Sequence, residues 1–333
     1  MRNKAAIVLL LLLCVQAANA DWVRQQYPTL AWLRDVYFFD ESHGWIVGSE
    51  GTVLTTSDAG GHWSAVPKFN NDTILRIHFT DASTGWMLCE RNVYSRGRNA
   101  SSYLRKTSDG GVTWEMIELR DAGRERLRAM IFTPDGRGIA FGEGGVFYTL
   151  QPDGKTWKKS NATVRYLLLA GSISDSGVGV IAGAGGTLMF TLDGGSTWDN
   201  SSVTGNPQVR FNSVFFTSPK IAWTVGSDGS IFTSSGGGRS WRQQVSGTDR
   251  ELTDIWISNT SDGWAVGDQG VILHTSNGGA VWEPERSPVK HRLERVIFNG
   301  KRGWAVGYGG TILSYSDTLA AVNTPRPTLR PKQ

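Results

Sequence analysis

A chain of 333 residues that is 39% apolar and 19% charged has enough hydrophobic material for a sizeable core, which excludes disorder as its main state. Its 41 glycines and 14 tryptophans exceed ordinary usage, about 7% for Gly, and the pairing implies tight turns alternating with large packed aromatics rather than a helical bundle. The formal charge is +4, and setting aside Arg2 and Lys4 leaves 32 basic against 30 acidic side chains, so binding of nucleic acid through bulk charge is excluded.

Residues 1–20 read as a signal peptide. Arg2 and Lys4 are followed by an apolar run from Ala5 to Val15, and Ala18 and Ala20 supply the A-x-A pattern that signal peptidase accepts. The run is shorter than the ~20 residues of a bilayer span, so an exported protein is expected, in a periplasm or a thylakoid lumen. Cys14 follows Leu13, where a lipid-attachment site calls for a small side chain, and cleavage after Ala20 removes it. Cys89 is then the single thiol, which forbids an intramolecular disulfide, and it is expected as a small apolar residue inside a strand. The sequons at Asn71, Asn99, Asn161, Asn200 and Asn259 have meaning only in a eukaryotic secretory route.

The tryptophans set the organisation of the rest. Trp22, Trp63, Trp114, Trp157, Trp198, Trp241 and Trp282 recur every 41 to 43 residues, with one interval lengthened to 51, and Trp45, Trp86, Trp223, Trp264 and Trp304 fall between them. A period of ~40 to 45 residues matches propeller blades of four strands. Within one unit, VYFFD, GWIVG and TVLTTSDAGGHW are short β-rich runs broken by Gly and Asp, and seven such units can be counted. The seventh ends after three strands, near Asp317. The segment starting at Trp22 (WVRQQ) resembles the fourth strand at Trp241 (WRQQV). The predicted fold is therefore an all-β, seven-bladed propeller over residues 21–317, with four-stranded antiparallel blades and a ring closed by the N-terminal strand, leaving no open sheet edge. Residues 318–333, rich in Pro, are expected as a flexible tail.

Before the fourth strand stands Thr-x-Asp-x-Gly-x-x-Trp: Asp58 with Trp63, Asp109 with Trp114, and Asp193 with Trp198. Asn277 with Trp282 is a variant, Gly236 replaces the Asp in another unit, and the box from Asp153 to Trp157 is one residue shorter. In these Asp boxes the carboxylate accepts backbone N–H groups, Gly supplies a positive φ and Trp packs beneath, so their role is structural.

The exported chain, the seven GW-x-VG and T-x-D-x-G-x-x-W units and the closing strand at Trp22 together resemble the photosystem II assembly and stability factor family. The resemblance covers residues 21 to about 317. It implies a non-enzymatic propeller with an arginine-rich face, lumenal or periplasmic, that helps newly made reaction-centre subunits assemble. Related sequences occur in bacteria without photosynthesis, which leaves the partner open. Asp boxes alone are shared with sialidases and sortilin-like receptors, so a sialidase-like glycosidase or a carbohydrate-binding propeller is the alternative.

Enzyme chemistry is not legible. His43, His62, His78, His274 and His291 form no His-Glu-x-x-His, and one thiol cannot build a zinc cluster, so neither metal nor cofactor is expected. Gly177-Val-Gly179-Val-Ile-Ala182 fits a loose dinucleotide fingerprint but occupies a second strand with no helix after it. A sialidase needs three arginines, a Tyr–Glu pair and an acid/base Asp. Tyr94, Tyr103, Tyr166 and Glu143 are present without a spacing that pairs them. No catalytic residue is assigned.

Arginine carries the functional signal. Arg34, Arg76, Arg128, Arg165, Arg210, Arg250 and Arg292 stand at the entry to successive first strands, out of strict register. Strands alternate in direction, so this link shares a face of the disc with the second-to-third turn. In the second unit that turn carries an insertion with Arg91, Arg96, Arg98 and Arg105, and Arg124 and Arg126 follow. Guanidinium recognises carboxylate bidentately and stacks on aromatics, which suits docking of a protein partner, a membrane protein or its exported segment, by a monomer. The competing reading has these side chains solvated and paired with Asp121, Glu125, Glu251 and Glu294.

Overall fold

The computed structural model describes residues 21–316 apart from 95, 96, 98, 162, 163 and 206. The signal segment, the tail, Arg96 and Arg98 lie outside the described residues.

Seven sheets form the ring. Their inner strands are Leu33–Phe38, Thr73–Phe79, Leu127–Phe132, Leu168–Ile173, Phe211–Phe216, Leu252–Ile257 and Leu293–Asn299, which define blades 1 to 7. Closure is as the sequence predicts. Asp21–Gln25 is the outer strand of blade 7 and runs antiparallel to Thr311–Ser316, with Trp22 opposite Tyr315. Blade 5 departs from the four-stranded pattern, because Ser202–Val203 adds a short parallel strand outside Ser240–Gln244.

The two tryptophan series turn out to be one packing device. In blades 1, 6 and 7 the second-strand Trp lies against a Phe at the end of the next blade's inner strand: Trp45 on Phe79 at 4.2 Å between ring centres, Trp264 on Phe298 at 4.0 Å and Trp304 on Phe38 at 4.2 Å. The fourth-strand Trp of that next blade meets the same Phe edge-on, as Trp114 does Phe79 and Trp22 does Phe298, both at 5.9 Å. Large offset aromatics fill the wedge between sheets that splay outward, which explains why the period is carried by Trp.

In six blades the second strand runs into a tight turn ending in Gly, and the Gly is required. At Gly310 φ is +68°, and a Cβ would stand 1.9 Å from the Thr29 carbonyl oxygen of the link into blade 1. Gly310 N–H donates to the Ala31 carbonyl, at 2.8 Å, so the turn seals the link over the blade boundary. Cys89 is buried in its strand, and burial pushes its thiol up to about 12, as expected for an inert core residue.

Candidate docking face and central channel

The links into each inner strand and the second-to-third turns share one face, and the Asp boxes occupy the other. In the boxes Asp58 Oδ1 accepts from the Thr56 hydroxyl at 2.8 Å and from the His62 N–H at 2.9 Å, and Asp109 and Asp193 repeat this with Thr113 and Thr197. The Asn277 side-chain oxygen accepts from Val281 N–H at 2.9 Å. Trp114 and Trp198 donate to the carbonyls of Gly111 and Gly195, and Trp63 and Trp282 to Gln25 and Gln244.

On the arginine face most guanidinium groups are already engaged. Arg210 pairs with Glu251 at 2.5 Å, Arg292 with Asp268 at 2.5 Å and with Glu294 at 3.0 Å, and Arg34 with Glu294 at 3.3 Å while lying 3.6 Å above the Trp32 ring. Arg128 pairs with Glu90 at 3.0 Å and Arg126 with the same carboxylate at 3.4 Å. Glu251 and Glu294 are thus paired, whereas Glu125 takes Lys159. Arg91 and Arg105 are buried: Arg91 bonds Glu118 and the Ala100 carbonyl and covers Tyr103, and Arg105 covers Phe69 and donates to the Trp114 carbonyl. They hold the insertion to its blade. Among the described residues Arg124, Arg165 and Arg250 are exposed on this face without an ion pair.

Tyrosine is the face's second component, and the arginine pattern did not reveal it. Tyr94, Tyr166 and Tyr308, exposed by 94%, 56% and 52%, sit in these links and turns, and Leu30 and Val245, in two other links, are also bare. Tyr308 meets Trp32 edge-on at 5.5 Å, next to Arg34. The sequence signal for them is aromatic residues inside polar connecting segments.

Arg76 belongs elsewhere. Each inner strand has a bulge after its first residues, and the residue just past it is Asp35, Arg76, Ala129, Ala170, Ser213, Asp254 or Arg295 in blades 1 to 7. The extra residue re-aims this side chain into the axis, where a cavity of about 360 Å³ runs through the ring. Arg295 bridges two blades, its Nε on Asp35 and its Nη1 on Asp254, both at 2.9 Å. Asp35 also accepts the N–H groups of Val36 and Ile77, and Asp254 accepts the Val296 N–H and the Ser213 hydroxyl, so each carboxylate takes three hydrogen bonds. Against the desolvation of burial, Asp254 and Asp35 raise the Arg295 pKa. The Tyr37 hydroxyl donates to the Phe79 carbonyl at 3.0 Å, and among the described residues no glutamate lines the cavity beside it. Sequence reasoning passed over Asp35, Asp254 and Arg295, although a charge two residues after a leading Leu was visible in the inner strands of blades 1, 6 and 7.

His78, in the same channel, lies flat on Phe132 at 5.0 Å, and burial, opposed by Asp35, lowers its pKa from 6.5 to about 4. The folded protein therefore binds this proton more weakly than the unfolded chain. Its contribution to stability is full above about pH 6.5 and is lost as the pH falls toward about 4. His78→Phe, which keeps the stacking, is expected to flatten that decline in urea unfolding followed across the window. An unchanged slope rejects the neutral buried imidazole.

A family model described as photosynthesis system II assembly factor YCF48 matches residues 14–71, 119–235 and 233–321. The chain belongs to this family. The photosystem II assembly protein Ycf48 of Thermosynechococcus vestitus is 24% identical over 262 residues, 67% of this chain and 75% of that protein. The chloroplastic photosystem II stability/assembly factor HCF136 of Arabidopsis thaliana is 25% identical over 221 residues, 62% of this chain and 54% of that protein. A solved structure, YCF48 bound to D1 peptide, superposes with a TM-score of 0.74 at 21% identity, covering 90% of this chain and 96% of that one, and shares its fold. Blade 2 with its insertion lies between the residues that the YCF48 family model matches.

Proposed function

We propose that this YCF48-family propeller is an exported assembly or stability factor that holds a segment of a membrane protein on its arginine face, acting as a monomer and without catalysis. The observation that carries this reading is the coincidence, on one face, of the unpaired Arg124, Arg165 and Arg250 with the exposed Tyr94, Tyr166 and Tyr308. Arginine supplies charge recognition of an acidic segment, and tyrosine supplies rigid contact area at low entropic cost. The ion-paired arginines hold the surface in shape and set its alternating charge. The relative solved with D1 peptide supports a peptide as the ligand type. A signal peptide ending at Ala20 delivers the mature propeller, residues 21–317, to the periplasm or thylakoid lumen, followed by the tail.

Reversing Arg124, Arg165 and Arg250 to Glu is expected to leave the melting curve in place. Capture of membrane proteins from solubilised membranes of the source organism should drop by roughly ten- to a hundredfold, since each exposed contact contributes ~0.2 to 1 kcal/mol and reversal adds repulsion. The parent's capture should weaken with salt. Identical capture at equal salt by the triple variant overturns the docking face. Turnover of a fluorogenic sialoside by the purified parent overturns the non-catalytic reading.

A further inference from the structure

We infer that the arginine face also rests directly on an anionic lipid bilayer, with arginine meeting phosphate headgroups and with tyrosine and aliphatic tips entering the boundary beneath them. The choice of face rests on the proposed docking of a membrane-protein segment; the lipid contact goes beyond it. The three exposed tyrosines, Tyr94, Tyr166 and Tyr308, all stand on this face, whereas Tyr27 and Tyr37 are half-buried and Tyr103, Tyr148 and Tyr315 are buried. They do not line a groove. Leu30 stands in the link into blade 1, Tyr94 in the turn of blade 2, Tyr166 in the link into blade 4, Val245 in the link into blade 6 and Tyr308 in the turn of blade 7. Leu30 and Val245 are 89% and 85% exposed. An extended peptide crosses only the blades along its path, whereas a plane reaches tips set all round the disc at once.

Tyrosine suits the membrane–water boundary, since its ring is apolar and its hydroxyl stays wet. The unpaired Arg124, Arg165 and Arg250 stand among these tips, in the links into blades 3, 4 and 6, and guanidinium takes phosphate bidentately. Apolar area and attraction to anionic lipid add in such a contact. The opposite face fixes the orientation. Exposed apolar residues occur there too, Val112 and Leu192 among them, but they share their Asp boxes with the carboxylates of Asp109 and Asp193. Asp58 and Asp153 stand exposed on the same side, and hydrogen bonds from the turns hold all four carboxylates below their ordinary range, so they stay charged. An anionic surface therefore repels the Asp-box side and attracts the arginine side.

Co-sedimentation of the mature protein with protein-free vesicles tests the contact. Vesicles of equal parts phosphatidylcholine and phosphatidylglycerol are expected to bind it, pure phosphatidylcholine at least about tenfold more weakly, and salt should loosen the binding. Leu30→Glu with Val245→Glu, both at exposed positions apart from Arg124, Arg165 and Arg250, should lower partition at least about tenfold at an unchanged melting temperature, because an acid replaces each tip that enters the lipid. Val112→Glu, on the Asp-box side, should leave partition unchanged. Equal binding to both kinds of vesicle, or full binding by the Leu30 and Val245 double variant, overturns the lipid contact. So does a Val112→Glu variant that binds as weakly as the double variant, since the loss then follows overall charge and not the face. Sedimentation with native membranes but not with protein-free vesicles assigns the face to protein alone and overturns it as well. Capture of membrane proteins from detergent, where no bilayer is present, reads the docking of a protein segment, so failure of that reading and failure of the lipid contact are separately visible.

Discussion

Trp22→Ala is expected to destabilise the protein by about 3 to 5 kcal/mol, the cost of deleting a buried aromatic. Trp22 is 2% exposed, and its ring packs against Tyr315 and Phe298 at 5.2 and 5.9 Å while its Nε1 donates to Glu285 at 2.7 Å. The change thus opens a cavity and removes a partner from a carboxylate that burial already raises in pKa. For a domain of this size the melting temperature should fall by roughly 10 °C. The strand also reaches past its own blade. Gln25 donates to the Gly60 carbonyl at 2.8 Å and accepts from Trp63 Nε1 at 3.0 Å, so blade 7's outer strand fastens the Asp box of blade 1. A protein beginning at Tyr27 loses both contacts and exposes the edge of Thr311–Ser316, so it should melt lower still and associate. If this truncated form melts like the parent, the ring does not depend on its N-terminal closure.

Arg295→Met is the second large effect. The substitution leaves Asp35 and Asp254, 3% and 2% exposed, without their shared cation in the middle of the ring. Breaking a buried ion pair from one side costs about 3 to 5 kcal/mol, and the lower end applies here because the guanidinium is open to the channel. The loss should be largely relieved when Asp35→Asn and Asp254→Asn are added, because neutral side chains no longer need the cation. Urea unfolding of the single and triple variants measures it. A single variant within about 1 kcal/mol of the parent would show that the triad contributes little to the ring's stability.

Fold and closure were legible in the sequence because both rest on local rules repeated seven times. A Trp at intervals of 41 to 51 residues, Gly in the turns of six blades and Asp at most boxes dictate strand, turn and strand irrespective of distant partners, and WVRQQ at the start copies WRQQV in blade 5. The sequence likewise determined the side on which the arginines of the links emerge, since alternating strand direction follows from hairpin connectivity alone.

What the arginines do there was decided only by the tertiary structure. Arg292, Arg34 and Arg210 meet carboxylates that lie far away in the chain or on neighbouring blades, and Arg91 and Arg105 turn inward onto Tyr103. Pairing depends on where seven sheets converge, which no spacing along the chain encodes. The channel is the clearest case: a one-residue bulge in each inner strand aims the next side chain at the axis, and so joins Asp35 to Arg295 across 260 residues of sequence. A local pattern can mark a charged residue in a strand. Whether that charge meets carboxylates directly, as at Arg295, or only at longer range, as at Arg76, is settled by the geometry of the closed ring.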